Sequence, residues 1–142
     1  MNMSELTIRE MEQGEDFADW FADLTMREED ATGDPTHLED HSLILSNEVG
    51  DWIGGLRYSL RGGVAHLQDI AVREDERHRG HAHRLLEGFE GHARNMGAHL
   101  AEFWTDDFDD EPELLVHDWQ RVLRRDNYIG MRTWYLMEKP LL

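Results

Sequence analysis

LQDIAVREDERHRGHA, residues 67–82, reads as a buried strand that runs into a short turn and delivers Arg77, His78, Arg79, Gly80, His81 and Ala82 to the start of a helix. A helix start presents unpaired backbone N–H groups and the positive end of the macrodipole, and a glycine in the turn lets a phosphate approach the backbone, so this turn reads as an anion site. The charge context singles it out. Residues 77–84 hold three Arg, three His and no acid, in a chain whose formal net charge is −17.

Working outward, residues 64–72 form the strand itself. Ala65 and Leu67 share one parity while Ile70 and Val72 share the other. One core face is kept only if an extra residue enters near Gln68 and Asp69, which is a β-bulge; the alternative is a strand buried on both faces. Two strands precede it, 42–49 and 52–60, joined as a hairpin at Gly50-Asp51, and Arg61-Gly62-Gly63 turns the chain into 64–72. Before these, residues 6–11 alternate as a short strand, Phe17, Trp20, Phe21 and Leu24 fall on one helical stripe, and 31–41 reads as a loop or broken helix. After the basic turn, Ala82, Leu85, Leu86, Phe89, Ala93 and Met96 share one helix face and Gly97 stops it, although Gly88 and Gly91 each cost ~1 kcal/mol relative to Ala. A strand at 99–105, an acidic loop at 106–113, a helix after Pro112 carrying Leu115, Trp119, Val122 and Leu123, and a last strand at 131–138 complete the order. This order predicts an α+β, sandwich-like fold: a mixed, mostly antiparallel central sheet with a right-handed parallel β-α-β crossover around the basic turn. Ligands in such sheets bind beyond the carboxyl ends of strands, where Val72 meets the turn.

At 142 residues and 39% hydrophobic, the chain is expected to form a single domain over 1–142. Its 31 Asp and Glu face 13 Arg and one Lys, Lys139. Such a surface repels nucleic acid and anionic membranes, so neither is expected as a partner. The acids are spread along the whole chain and Lys is nearly absent, as adaptation to high salt would leave them; attraction of a cationic substrate is the competing reading. With no Cys, disulfides and thiolate chemistry are excluded, and no Gly-x-Ser-x-Gly marks a serine nucleophile. No apolar stretch approaches the ~18 residues of a membrane span and MNMSELTIRE does not read as a leader, so a cytoplasmic location is expected. A homodimer is left open.

With Val72, five residues to Arg77, then Arg77-x-x-Gly80-x-Ala82 opening an amphipathic helix, the chain resembles the GNAT N-acetyltransferase superfamily, whose acyl-CoA motif is Arg/Gln-x-x-Gly-x-Gly/Ala. The element order fits over nearly the whole chain, to the terminal strand ending MEKPLL. A dinucleotide-binding reading lacks the second motif Gly, and a P-loop lacks Gly-Lys-Ser/Thr. The resemblance implies the acyl-CoA N-acyltransferase fold, in which the strand before the motif carries a bulge and splays from the next strand to admit the pantetheine arm. It implies acetyl-CoA as cosubstrate and no metal. The backbone of Ile70, Ala71 and Val72 would pair with pantetheine, the Ile70 amide facing the thioester oxygen, and Arg77, His78, Arg79, Gly80, His81 and Ala82 would hold the pyrophosphate. The implied function is acetyl transfer to a primary amine, of a small molecule or a peptide, by direct attack in a ternary complex.

An alkylammonium, with pKa near ~10, has almost no free lone pair at pH 7, so a base is needed. The family's bases lie four or two residues before the thioester-gripping position, here His66 and Gln68. Gln cannot act as a base; His66 is the candidate, and a strand His bonded to backbone is the plain alternative. Asp69 serves only if the bulge turns it inward. The family's Tyr acid on the last helix is replaced here by Leu123, and Asn127-Tyr128 stands in place of Gly-Phe, which leaves Tyr128 as a substitute acid. A non-catalytic acyl-CoA-binding module and a His-rich metal-binding protein are the alternatives from other classes. His78, His81 and His83 are close in sequence, but His81 and His83 face different ways on a helix.

Overall fold

In the computed structural model the described residues are 6–32, with 29–32 as backbone only, 37–106, 114 and 117–142. They divide into two compact units, 1–37 and 38–142.

The first unit carries one helix, α1, Phe17–Thr32. Arg9 forks onto Glu15 with both nitrogens at 2.8 Å, and the Glu12 amide donates to the same carboxylate at 2.6 Å. These bonds hold the Glu15 carboxyl down at about 2, the Arg9 contact being the larger cause. Phe17 stacks on Phe21 at 5.3 Å along the predicted stripe. The strand expected at 6–11 is not formed. Leu6 and Ile8 are exposed and residues 6–11 join no ladder among the described residues; alternation alone makes no strand without a partner edge.

Among the described residues the second unit is a six-stranded sheet with one long helix: β1 Glu39–Ser46, β2 Trp52–Arg61, β3 Val64–Val72, α2 His81–Asn95, β4 Leu100–Thr105, β5 Gln120–Arg125 and β6 Trp134–Pro140. The spatial order is β1-β2-β3-β4-β6-β5. Every neighbouring pair is antiparallel except β3 with β4, which α2 connects as the expected parallel crossover.

Local chemistry sets the turns. The Asn47 side-chain oxygen accepts the amides of Val49 (3.1 Å) and Asp51 (2.9 Å), which closes the β1–β2 hairpin. Gly62 and Gly63 both have positive φ, 56° and 82°, as a two-residue turn matched to strand twist requires; a side chain on Gly63 would also strike His99. α2 ends with Gly97 N–H on Arg94 C=O and Ala98 N–H on Ala93 C=O, the Schellman pattern that Gly97 announced.

The core lies between the sheet and α2. Leu56, Tyr58 and Leu60 of β2, Ala65 and Leu67 of β3, and Ala101 and Phe103 of β4 meet Leu85, Leu86, Phe89 and Ala93 of α2. Buried Tyr58 keeps its hydroxyl paired, 2.6 Å from His92 Nδ1, and burial pushes its phenol upward, with Glu39 adding to the shift. Glu90, on α2 and 8% exposed, receives the chain's single Lys, Lys139 of β6, at 2.5 Å.

The helix expected after Pro112 does not extend over Trp119, Val122 and Leu123. Residues 120–125 are β5, laddered to β6 with a register shift at Val122. The helical spacing there was not a burial pattern: Trp119 is buried against Phe103 (4.8 Å), whereas Val122 and Leu123 are half exposed. The acidic stretch 107–113 and Leu115 lie outside the described residues, as do 33–36 of the first predicted loop. Among the described residues no helix is long and apolar enough to cross a membrane.

Candidate active site

The bulge is present. Arg57 pairs with Asp69 and Tyr58 with Leu67, so Gln68 is the extra residue, and the alternation of β3 reverses beyond it. Leu67 stays in the core, whereas Ile70 is 39% exposed. On its other side β3 pairs with β4 only at Val64, Ala65 and His66, opposite Leu100, Ala101 and Glu102. Past that point the two strands run on without a ladder between them, β3 to Val72 and β4 to Thr105. The β3 edge from the bulge onward therefore faces a gap, with backbone donors and acceptors directed into it.

A cleft of about 640 Å³ fills this gap and reaches the start of α2. Of the residues anticipated from sequence, Asp69, Ile70, Val72, Arg77, His78, Gly80, His81 and Ala82 border it. Ala71 lies on the same strand with its side chain on the other face, and Arg79 stands beside the turn.

Gly80 is the N-cap of α2 at φ 78° and ψ 14°, left-handed backbone that costs an ordinary residue ~1–2 kcal/mol. Among the described residues no atom lies within 4 Å of where its Cβ would stand, so they leave the space above it open. The first bond of the helix runs from Arg84 N–H to Gly80 C=O, which leaves the amides of His81, Ala82 and His83 ahead of it. Arg77 Nε donates to Val72 C=O at 3.4 Å and ties the turn to the end of β3. The basic turn also contains an acid that the 77–84 window did not: Glu76 borders the cleft and contacts Arg79 (3.1 Å) and His81 Nε2 (3.3 Å). His81 Nδ1 is buried with no partner among the described residues. An open strand edge, free helix-start amides and an uncrowded left-handed glycine fit an extended amide-bearing chain ending in a diphosphate.

His66 sits at the last parallel pair, where the strands begin to part, on the face opposite α2. Its Nδ1 is 3.2 Å from Glu102 Oε1 on β4. A carboxylate only accepts, so Nδ1 carries the proton and neutral His66 keeps its lone pair on Nε2. Glu102 was not anticipated from sequence, because its nearness to His66 depends on the β3–β4 register. Asp69, turned by the bulge, accepts a hydrogen bond from Arg57 of β2. Tyr128, in the turn before β6, lies 5.2 Å from the Trp104 ring and 4.3 Å from the Arg125 guanidinium; Trp104 borders the cleft and Tyr128 does not. His83 pairs with Glu87 and lies against the tilted ring of His117 at 4.2 Å, while His81 pairs with Glu76, so neighbouring His side chains go to different carboxylates.

Residues 5–130 match the sequence pattern of the acetyltransferase (GNAT) family. Comparison with curated proteins gives no significant match. Among solved structures, an Agrobacterium tumefaciens protein presumed to be an acetyltransferase is similar with a TM-score of 0.72 at 19% identity, over 95% of this chain and 99% of that one. An acetyltransferase from Bacillus cereus gives 0.68 at 20% identity, over 93% and 97%. The ribosomal-protein-S18-alanine N-acetyltransferase of Escherichia coli gives 0.60 at 16% identity, over 80% and 76%. At these identities the likeness is one of fold.

Proposed function

The chain belongs to the acetyltransferase (GNAT) family, an acyltransferase family, and from that premise we propose that it moves an acetyl group from acetyl-CoA to a primary amine by direct attack in a ternary complex. The observation that carries this reading is the parting of β3 from β4 beyond His66 and Glu102, beside a helix start capped by left-handed Gly80. Ile70, Ala71 and Val72 offer their backbone to the pantetheine arm, and the Ile70 amide polarises the thioester carbonyl. The amides of His81 and Ala82, with Arg77, His78, Arg79 and the room above Gly80, hold the diphosphate. The thioester supplies an activated acyl carbon and a good leaving group.

His66 Nε2 takes the proton from the incoming ammonium, directly or through water, while Glu102 fixes the tautomer. The amine nitrogen bonds to the acyl carbon, the carbon–sulfur bond breaks, and its electron pair leaves on sulfur. A thiol has a pKa of ~8.5, so the departing thiolate places a light demand on an acid; Tyr128 is the residue assigned there. We read the acidity as adaptation to a high-salt interior.

Thiol release from acetyl-CoA across an amine panel, at low and at molar KCl, tests the reading. Amine-dependent release that saturates in both substrates is expected. A protein that binds CoA but releases no thiol with any amine would overturn it.

A further inference from the structure

Strand alternation puts Gly55 and Arg57 of β2 on the sheet face opposite α2. The bulge at Gln68 brings Asp69 and Ala71 of β3 onto that same face. These four residues border a shallow depression of about 540 Å³. Asp69 and Ile70 border the acyl cleft as well, so both recesses touch β3 just past the bulge.

Arg57 Nη2 donates to Asp69 Oδ2 across the ladder, with the side chains 67% and 60% exposed. An ion pair this open adds little to stability, and either partner can exchange the other for a ligand at small cost. It also differs from several other Arg contacts. Arg73, Arg124 and Arg79 pair with acids two or three residues away, whereas the Arg57 partner is 12 residues distant and is put there by the bulge.

An amine arriving as a bare cation gains from Asp69 but meets the Arg57 guanidinium. That repulsion works against the attraction to Asp69. A zwitterion meets no such conflict: its carboxylate matches the guanidinium fork and its ammonium faces Asp69. We propose that this depression is the acceptor subsite and that the acceptor is a free amino acid, its carboxylate held by Arg57 and its amino group directed by Asp69 toward the cleft at Ile70. The proposal rests on the acetyl-transfer reading above and adds no chemistry to it. Acyl carbon passes from sulfur to nitrogen, the electron pair stays on sulfur, and the amine proton leaves through His66 to water.

The test is thiol release from acetyl-CoA with a panel of free amino acids, the carboxamide of each, and simple alkylamines, for the wild type and for Arg57→Gln, with circular dichroism to confirm folding of this surface variant. At least one amino acid is expected to exceed its carboxamide in kcat/KM by tenfold or more, with the ratio collapsing toward one in Arg57→Gln. Equal use of acid and carboxamide, release with alkylamines alone, or a ratio that survives Arg57→Gln overturns the proposal and leaves acetyl transfer standing. No release with any amine overturns both.

Discussion

Gly80 lets the two demands on the anion turn be separated. It lies at φ 78°, where a β-carbon costs ~1–2 kcal/mol, and yet none of the described residues stands within 4 Å of that β-carbon. Gly80→Ala should therefore lose ~1–2 kcal/mol from backbone strain alone, a fall in Tm of a few degrees for a chain of this size. Asn tolerates left-handed backbone, so Gly80→Asn should lose less. Affinity should follow a different order, because both side chains enter the open space assigned to the diphosphate. A tenfold weakening of CoA corresponds to about 1.4 kcal/mol, and we expect at least that for Ala and more for the larger Asn. Thermal unfolding without ligand reads the strain. Calorimetric titration with CoA reads the fit, supported by the rise in Tm, since 100-fold excess over Kd is worth ~2.7 kcal/mol. Undiminished CoA affinity in both variants would mean that the diphosphate does not lie over Gly80, and the account of the turn would fail.

Four further outcomes are expected. His66→Ala should lower kcat by about 10²-fold to 10⁴-fold with CoA affinity intact, and Glu102→Gln, which still accepts from Nδ1, should cost far less than Glu102→Ala; steady-state kinetics with calorimetry decides, and near-wild-type turnover of His66→Ala would pass the role to Asp69. Lys139→Met leaves the Glu90 carboxylate buried without its partner and should destabilise by ~3–5 kcal/mol in denaturant unfolding, with the added change Glu90→Gln recovering part of the loss. If the acidity is a general salt adaptation, Tm should rise from low salt to molar KCl; a flat or falling Tm would favour substrate steering. Glu15 is held at about 2 against an ordinary 4.5, so its contribution is full above about pH 4.5 and is lost as pH falls toward 2; a carboxyl NMR titration should place the midpoint there and Arg9→Ala should move it up.

The local code carried far. The strand at 64–72, the glycine turns, the helix ended by Gly97 and the turn at Gly80 that opens it each depend on backbone preferences of a few adjacent residues, and each was legible from them. The parity break at Gln68 and Asp69 was legible, but a strand buried on both faces explained it equally well until the resemblance favoured a bulge and the register showed one. What failed was the inference from spacing to partner. Residues 6–11 alternate without joining a ladder, and the helical spacing at Trp119, Val122 and Leu123 belongs to a strand, because a strand is defined by the edge it pairs with and that edge is distant in sequence. The same holds at the site. The sequence by itself determined that a strand with a break in its parity runs into a basic turn that opens a helix. Only the tertiary structure decided that the gap opens after His66, that Glu102 stands beside that imidazole, that Glu76 enters the basic turn and that Arg57 meets Asp69. Each of these is a contact across strands or turns, set by register and splay, which no short window of residues encodes.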